Sequence, residues 1–137
     1  MSGNEQLVGL IVGSPLGKLL GLQLEKCAED DVSIRLPYRE DVTTMGDLVH
    51  GGAIAALVDT AATAVAWSSV EDAAGHRGTT VGFSLNFLEG AHARDIVARA
   101  RIVRRGGSIT VCEVDVTTPD GTSVARALVT YKLDRPR

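Results

Sequence analysis

Residues 51–69 read GGAIAALVDTAATAVAWSS, with seven alanines, no proline, no glycine beyond Gly52 and one charge, Asp59. Alanine is the strongest helix former and nothing in the run breaks a helix, so it predicts one of about 28 Å at 1.5 Å per residue. Apolar residues occupy its whole circumference, the pattern of a helix covered on most sides rather than one lying on a surface.

The flanking segments must supply that cover. Upstream, Leu22 and Leu24 alternate with Gln23 and Glu25, and Val32, Ile34 and Leu36 with Ser33 and Arg35, across the turn Glu29-Asp30-Asp31. This is a first hairpin. Residues 6–20 are apolar but interrupted at Ser14-Pro15, which reads as a lid or packing segment, and residues 37–50 read as a loop. Downstream of a polar loop over 70–78 come four alternating segments. Val81, Phe83, Leu85 and Phe87 face one way and Thr80, Gly82, Ser84 and Asn86 the other; Ile96, Ala98, Ala100 and Ile102 oppose Arg99 and Arg101. Cys112, Val114 and Val116 alternate with Glu113, Asp115 and Thr117, and Ala125, Ala127, Val129, Tyr131 and Leu133 with Arg126, Thr130 and Lys132. Turns at Gly106-Gly107 and Pro119-Asp120-Gly121 join the last three into an antiparallel meander. The economical arrangement is α+β, one domain over residues 1–137 in which a curved antiparallel sheet of about six strands wraps one long central helix. The sheet's outer face or edge is then left to meet a second copy.

The charge balance, 14 Lys and Arg against 17 Asp and Glu, gives a net −3. No net positive field exists to hold nucleic acid. No apolar run reaches the roughly 18 residues of a membrane span, and the start MSGNEQLVGLIVGSPLG lacks a basic signal-peptide region, so the expectation is a cytoplasmic protein off the membrane. Cys27 and Cys112 have no CxxC spacing and read as buried thiols; His50, His76 and His92 have no ligand spacing, so no metal is expected.

Asp59 is what local structure does not explain, because burying an unpaired carboxylate costs several kcal/mol. No Lys or Arg lies between Gly51 and Ser69, while Thr63, one turn on, offers a hydroxyl. Either an arginine from a strand pairs with Asp59, or it emerges at a surface stripe, or it faces a cleft as general base or nucleophile toward a carbonyl. The helix opens at His50-Gly51-Gly52, where free N–H groups and the positive dipole end favour a phosphate or developing oxyanion, and glycines let a ligand come close.

His50 to Ala61, H-G-G-A-I-A-A-L-V-D-T-A, resembles the hotdog-fold thioesterases of the phenylacetate-pathway PaaI type. The likeness takes in Ser14 to Gly21 (SPLGKLLG), Thr79-Thr80-Val81 through Leu88-Glu89-Gly90-Ala91, and the final hairpin with Gly121. The resemblance implies a helix wrapped by an antiparallel sheet, hydrolysis of an acyl-CoA with a small aromatic or medium-chain acyl group, and no cofactor beyond the substrate's coenzyme A. It implies that the Gly51 amide polarises the thioester carbonyl while Asp59 activates water or attacks the carbon. Thr63 and Thr80 match hydroxyls that position the water in different members, and His50 shapes the loop. Six residues before His50, where many members carry Asn or Gln, stands Thr44.

The resemblance further implies a homodimer with shared sites, two dimers pairing into a tetramer. Eight residues along one helix is about 12 Å, too far for Gly51 and Asp59 of one chain to meet on one carbonyl. Gly52 and Thr44 are expected at the substrate. Arg104 and Arg105, with Arg77, His76 and His92, are candidates for the coenzyme A phosphates. The acyl pocket is expected between the helix and the 81–88 strand, with Trp67 and residues 6–20 as walls. A non-catalytic acyl-CoA binding module on the same fold is the competing reading, against which the acid speaks. A hydratase or dehydratase would place a histidine near that acid, and the helix has none after His50.

Overall fold

The computed structural model describes residues 3–137. Two short helices, α1 (Gly3–Val12) and α2 (Pro15–Leu20), precede a hairpin of β1 (Gln23–Ala28) and β2 (Asp31–Leu36). A 3-10 turn at Glu40–Val42 leads to the long helix α3 (Gly51–Trp67), then to β3 (Arg77–Phe87), β4 (Ile96–Arg105), β5 (Ile109–Thr117) and β6 (Ser123–Asp134). All six strands form one antiparallel sheet in the order β1-β2-β4-β5-β6-β3. The meander of β4, β5 and β6 turns where the glycines predict; Gly121 takes φ +93°, which a side chain would resist. The sequence pattern left the partner of β3 open. It crosses to the far edge and pairs with β6, from Arg77 opposite Asp134 to Phe87 opposite Ala125.

Helix α3 lies against β2, β3, β4, β5 and β6, which one sheet achieves only by curling around it. Leu57, Val58, Ala61, Ala62 and Val65 are wholly buried against Ile34, Ile96, Ala98, Ala100, Val114, Val116 and Val129. The alanines keep the helix thin enough for strands to close on several sides. Val8 and Val12 of α1 join this core, so the amino-terminal segment packs rather than covers a site. It breaks where Ser14 caps α2, its hydroxyl accepting from the Gly17 N–H, with Pro15 in the first turn.

The helix stops at Trp67, short of the expected Ser69, because its last carbonyls find other donors. The Ser68 hydroxyl donates to Val65 O (2.6 Å), the Arg105 guanidinium to Ala66 O (3.1 Å) and the Asn4 amide to Ser68 O (2.7 Å).

One face of α3 lacks cover from the described residues. Gly52, Ala56, Asp59, Thr60, Thr63 and Trp67 follow helical spacing and are exposed or half-exposed. Beside them runs β3, hydrogen-bonded on its β6 side only, with Val81, Phe83 and Phe87 at 60%, 43% and 56% exposure. The alternation in β3 also departs from the sequence pattern. Val81 is an extra residue between the pairs Thr80–Tyr131 and Gly82–Thr130. Such a bulge shifts parity by one, so Thr80 faces the helix on the same side as Phe83 instead of opposing it.

Asp95 ties the loop after β2 to β4, accepting from the Tyr38 N–H (2.8 Å) and from Arg35 (3.0 Å). That N–H first, and then the guanidinium, hold its carboxyl below the ordinary range. With the folded-state value the lower one, the stabilisation is complete above the unfolded value near 4 and is lost as pH falls through the folded one. Asp95→Asn should lower stability by about 1 kcal/mol at neutral pH, a gap that closes in acid. Denaturant titrations at pH 7 and pH 3 check it.

Both cysteines are free thiols, and burial pushes Cys112 up to about 12. Among the described residues no His, Cys, Asp and Glu group could hold a metal ion, and no helix is long and apolar enough to cross a membrane.

Candidate functional site

The start of α3 is built by its N-cap. His50 is extended, and its Nδ1 accepts the Gly52 N–H at 2.7 Å. Its carbonyl takes the N–H groups of Ala53 (2.9 Å) and Ile54 (3.1 Å), and its own N–H donates to Val42 O (2.7 Å). Of the opening amides this leaves that of Gly51, which meets no acceptor among the described residues. Close approach explains both glycines. A Cβ on Gly52 would lie 2.9 Å from the capping Nδ1, and one on Gly51 would lie 3.3 Å from the Phe87 ring. His50 is thus a cap, with Nδ1 occupied as an acceptor.

A pocket of about 290 Å³ opens at this helix end, lined by Thr44, Leu48, Gly51, Ile54, Phe87 and Leu88, with Glu89 beside them. Thr44 is held there by its N–H to Leu48 O (2.9 Å). Neither Trp67 nor residues 6–20 contribute to the wall, contrary to expectation. Trp67 sits at the other end of α3, its Nε1 donating to the Tyr131 hydroxyl (2.8 Å) and its ring packed against the small cluster of Ala66, Val70, Tyr131 and Leu133.

Two turns along the helix, Asp59 Oδ1 accepts from the Thr80 hydroxyl at 2.7 Å. No Lys, Arg or His among the described residues pairs with it, so the strand arginine that would have neutralised it is absent. Its charge adds to burial in raising the Cys112 thiol and the Tyr131 phenol. Thr63 is half-exposed one turn on, and its hydroxyl makes no hydrogen bond among the described residues. Asp59 does not line the Gly51 pocket. One protomer therefore carries two half-sites, a free amide in an apolar pocket and an oriented carboxylate on an open helix face, about 12 Å apart along the axis.

The basic candidates scatter. Arg105 is committed to Asp30 (2.7 Å) and Ala66 O, which makes it a clasp on the helix end. Arg104 is exposed and has no partner among the described residues. His92 Nδ1 lies 2.8 Å from Asp47, and the His76 ring 6.0 Å from that of Trp67. Arg77 borders a separate depression with Lys132, Arg135 and Arg137. Those last three were missed in the sequence, although the basic tail Asp134-Arg-Pro-Arg137 directly after a strand is a visible signal.

Residues 46–125 match the family model described as the thioesterase superfamily. A Halobacterium salinarum protein provisionally named an esterase is 32% identical over 109 residues, covering 77% of this chain and 72% of its own. A thioesterase family protein from Silicibacter pomeroyi superposes with a TM-score of 0.88 at 25% identity, over 97% of this chain and 99% of that one. PaaI from the phenylacetic acid degradation operon of E. coli shares the fold, with a TM-score of 0.84 at 17% identity over 95% of this chain and 92% of its own.

Proposed function

The chain belongs to the thioesterase superfamily, thioester hydrolases of the hotdog fold, and from that premise we propose that it hydrolyses a small aromatic or medium-chain acyl-CoA at a site built by two subunits. The observation that carries this reading is the pairing of half-sites. An acid braced by Thr80 and, among the described residues, neutralised by no cation stands on the open face of α3, and the helix-start amide left without an acceptor among them is that of Gly51.

Joining the halves requires a second copy. An unpaired eleven-residue edge strand with exposed Val81 and Phe83 is a template for antiparallel pairing with itself. Two-fold pairing along β3 lays the two α3 helices antiparallel, so that Asp59 of one subunit approaches Gly51 of the other. Such dimers pair in turn into a tetramer.

The acyl group enters the pocket beside Leu48, Ile54 and Phe87, whose volume of about 290 Å³ has room for a single ring or a medium chain. Asp59 takes a proton from water as the water oxygen bonds to the thioester carbon; alternatively its own oxygen forms that bond and water cleaves the anhydride. The negative charge gathers on the carbonyl oxygen, where the Gly51 N–H and the positive helix end receive it. The C–S bond then breaks and the thiolate leaves, regaining a proton. Thr80 holds one carboxylate oxygen and leaves the other for the water, to which Thr63 supplies a second hydrogen bond. His50 and Gly52 fix the amide's direction, and Thr44 borders the carbonyl side of the pocket.

Thiol release from aryl, short, medium and long acyl-CoA substrates tests the assignment. Turnover should concentrate on aryl or medium chains, and silence across the set removes it.

A further inference from the structure

At the end of the sheet where β3 begins and β6 finishes, a depression of about 470 Å³ is lined by Gly75, Arg77, Lys132, Asp134, Arg135 and Arg137. The register places Arg77 opposite Asp134 and Thr79 opposite Lys132, while Tyr131 and Leu133 turn inward and are buried. These polar side chains therefore share the outer side of the rim. Pro136 folds the tail back against Gly75, where a Cβ would lie 3.0 Å from its ring.

The charge here runs against that of the protein. Four cations face one acid, whereas the rest of the chain carries ten Lys and Arg against sixteen Asp and Glu. Elsewhere every arginine but Arg104 is paired: Arg35, Arg94, Arg99, Arg101, Arg105 and Arg126 with carboxylates, and Arg39 with the Leu19 carbonyl. Arg77, Arg135 and Arg137 have no acceptor among the described residues, and Lys132 has only a loose contact with Asp134 at 3.7 Å. Three unpaired guanidinium groups around one depression repel each other, and that arrangement is relieved by a polyvalent anion.

We propose that this rim pocket receives the phosphate groups of coenzyme A, an inference that rests on the acyl-CoA reading above. Arg77 lies three residues before Thr80, about 10 Å along the strand from the hydroxyl that braces Asp59. The phosphates must stand off from the reacting carbonyl by the length of the pantetheine arm, so separation from the acid is required. In the edge-paired dimer, with the two strands crossing near Gly82, the end of β3 that carries Arg77 comes beside the end that carries the partner subunit's Phe87, the guanidinium on the outer face of the sheet and the ring on the helix side. That ring borders the pocket holding the free amide. The basic rim of one subunit thus adjoins both halves of a single site.

The test uses Arg135→Gln/Arg137→Gln, positions outside every strand, and Arg77→Gln, each read in two ways. Calorimetric titration with coenzyme A and with 3′-dephospho-coenzyme A needs no turnover. The variants should bind coenzyme A at least tenfold more weakly, with the wild-type advantage shrinking as salt is added. Steady-state hydrolysis should show KM for acyl-CoA raised by a similar factor at unchanged kcat, with the phosphate-free acyl-N-acetylcysteamine thioester hydrolysed equally by all. Unchanged affinity for coenzyme A in the variants, or none in the wild type, overturns the pocket. Coenzyme A binding that depends on these arginines, with neither thioester hydrolysed, supports the pocket and overturns the hydrolase.

Discussion

Asp59→Ala should keep the fold and lower turnover by about a hundredfold or more, the loss of a positioned base or nucleophile. Folding should survive because the carboxylate is half-exposed and pairs with no cation among the described residues, and alanine is the better helix former. The Thr80 hydroxyl, itself half-exposed, can turn to water. Asp59→Asn makes the sharper variant, since its amide oxygen still accepts from Thr80 and only the charge and basicity are lost. Both variants should be equally inactive, with thermal melts close to wild type. Wild-type rates in Asp59→Ala would end the assignment. In a single turnover in ¹⁸O-water, label appearing in the Asp59 carboxylate identifies direct attack with the anhydride opened at the Asp59 carbonyl; where label is confined to the product acid, trapping with hydroxylamine separates an anhydride opened at the acyl carbon from activated water.

Gly51→Pro should reduce kcat by about a hundredfold to a thousandfold, the range for losing one oxyanion donor. Proline is suited to the first helical position, and His50, at φ −65° and ψ 133°, already has the extended backbone that a residue before proline prefers. The Gly51 N–H serves no protein acceptor among the described residues, so its removal breaks no internal hydrogen bond. Gly51→Ala is the control, adding the same Cβ, 3.3 Å from a Phe87 ring exposed enough to swing aside, while keeping the donor. Its kcat should stay close to wild type. An inactive Gly51→Ala would mean that space rather than the amide matters there. Mixing Asp59→Ala subunits with Gly51→Pro subunits should restore turnover, because each hybrid dimer contains one undamaged site. No recovery after subunit exchange would place both groups within one chain.

The helix and most of the sheet were legible because their signals are local. Seven alanines with no breaker make a helix wherever they sit, and alternations such as Ile96, Ala98 and Ala100 record which side meets it. What escaped depends on partners distant in the chain. Arg105 reads like Arg104, yet it is held by Asp30 and the end of α3, seventy-five and thirty-nine residues away. The place of β3 beside β6 follows from closing the sheet around the helix, which no alternation encodes. Asp59 and the Gly51 amide stood out because each breaks a local rule, a charge in an apolar helix and paired glycines at its start. The arginines at 135 and 137 break none, being an ordinary ending to a strand until Arg77 is folded beside them.

The additional residue in β3 bears on how relatives of this protein should be compared. A homologue missing its counterpart of Val81 would continue an unbroken ladder with its threonine still turned toward the acid, because Thr80 already pairs with Tyr131 and Gly82 with Thr130. A gap in that column therefore signals no change of chemistry, whereas a gap one column earlier deletes the hydroxyl. Alignments that slide the two together would score an intact catalytic brace as lost.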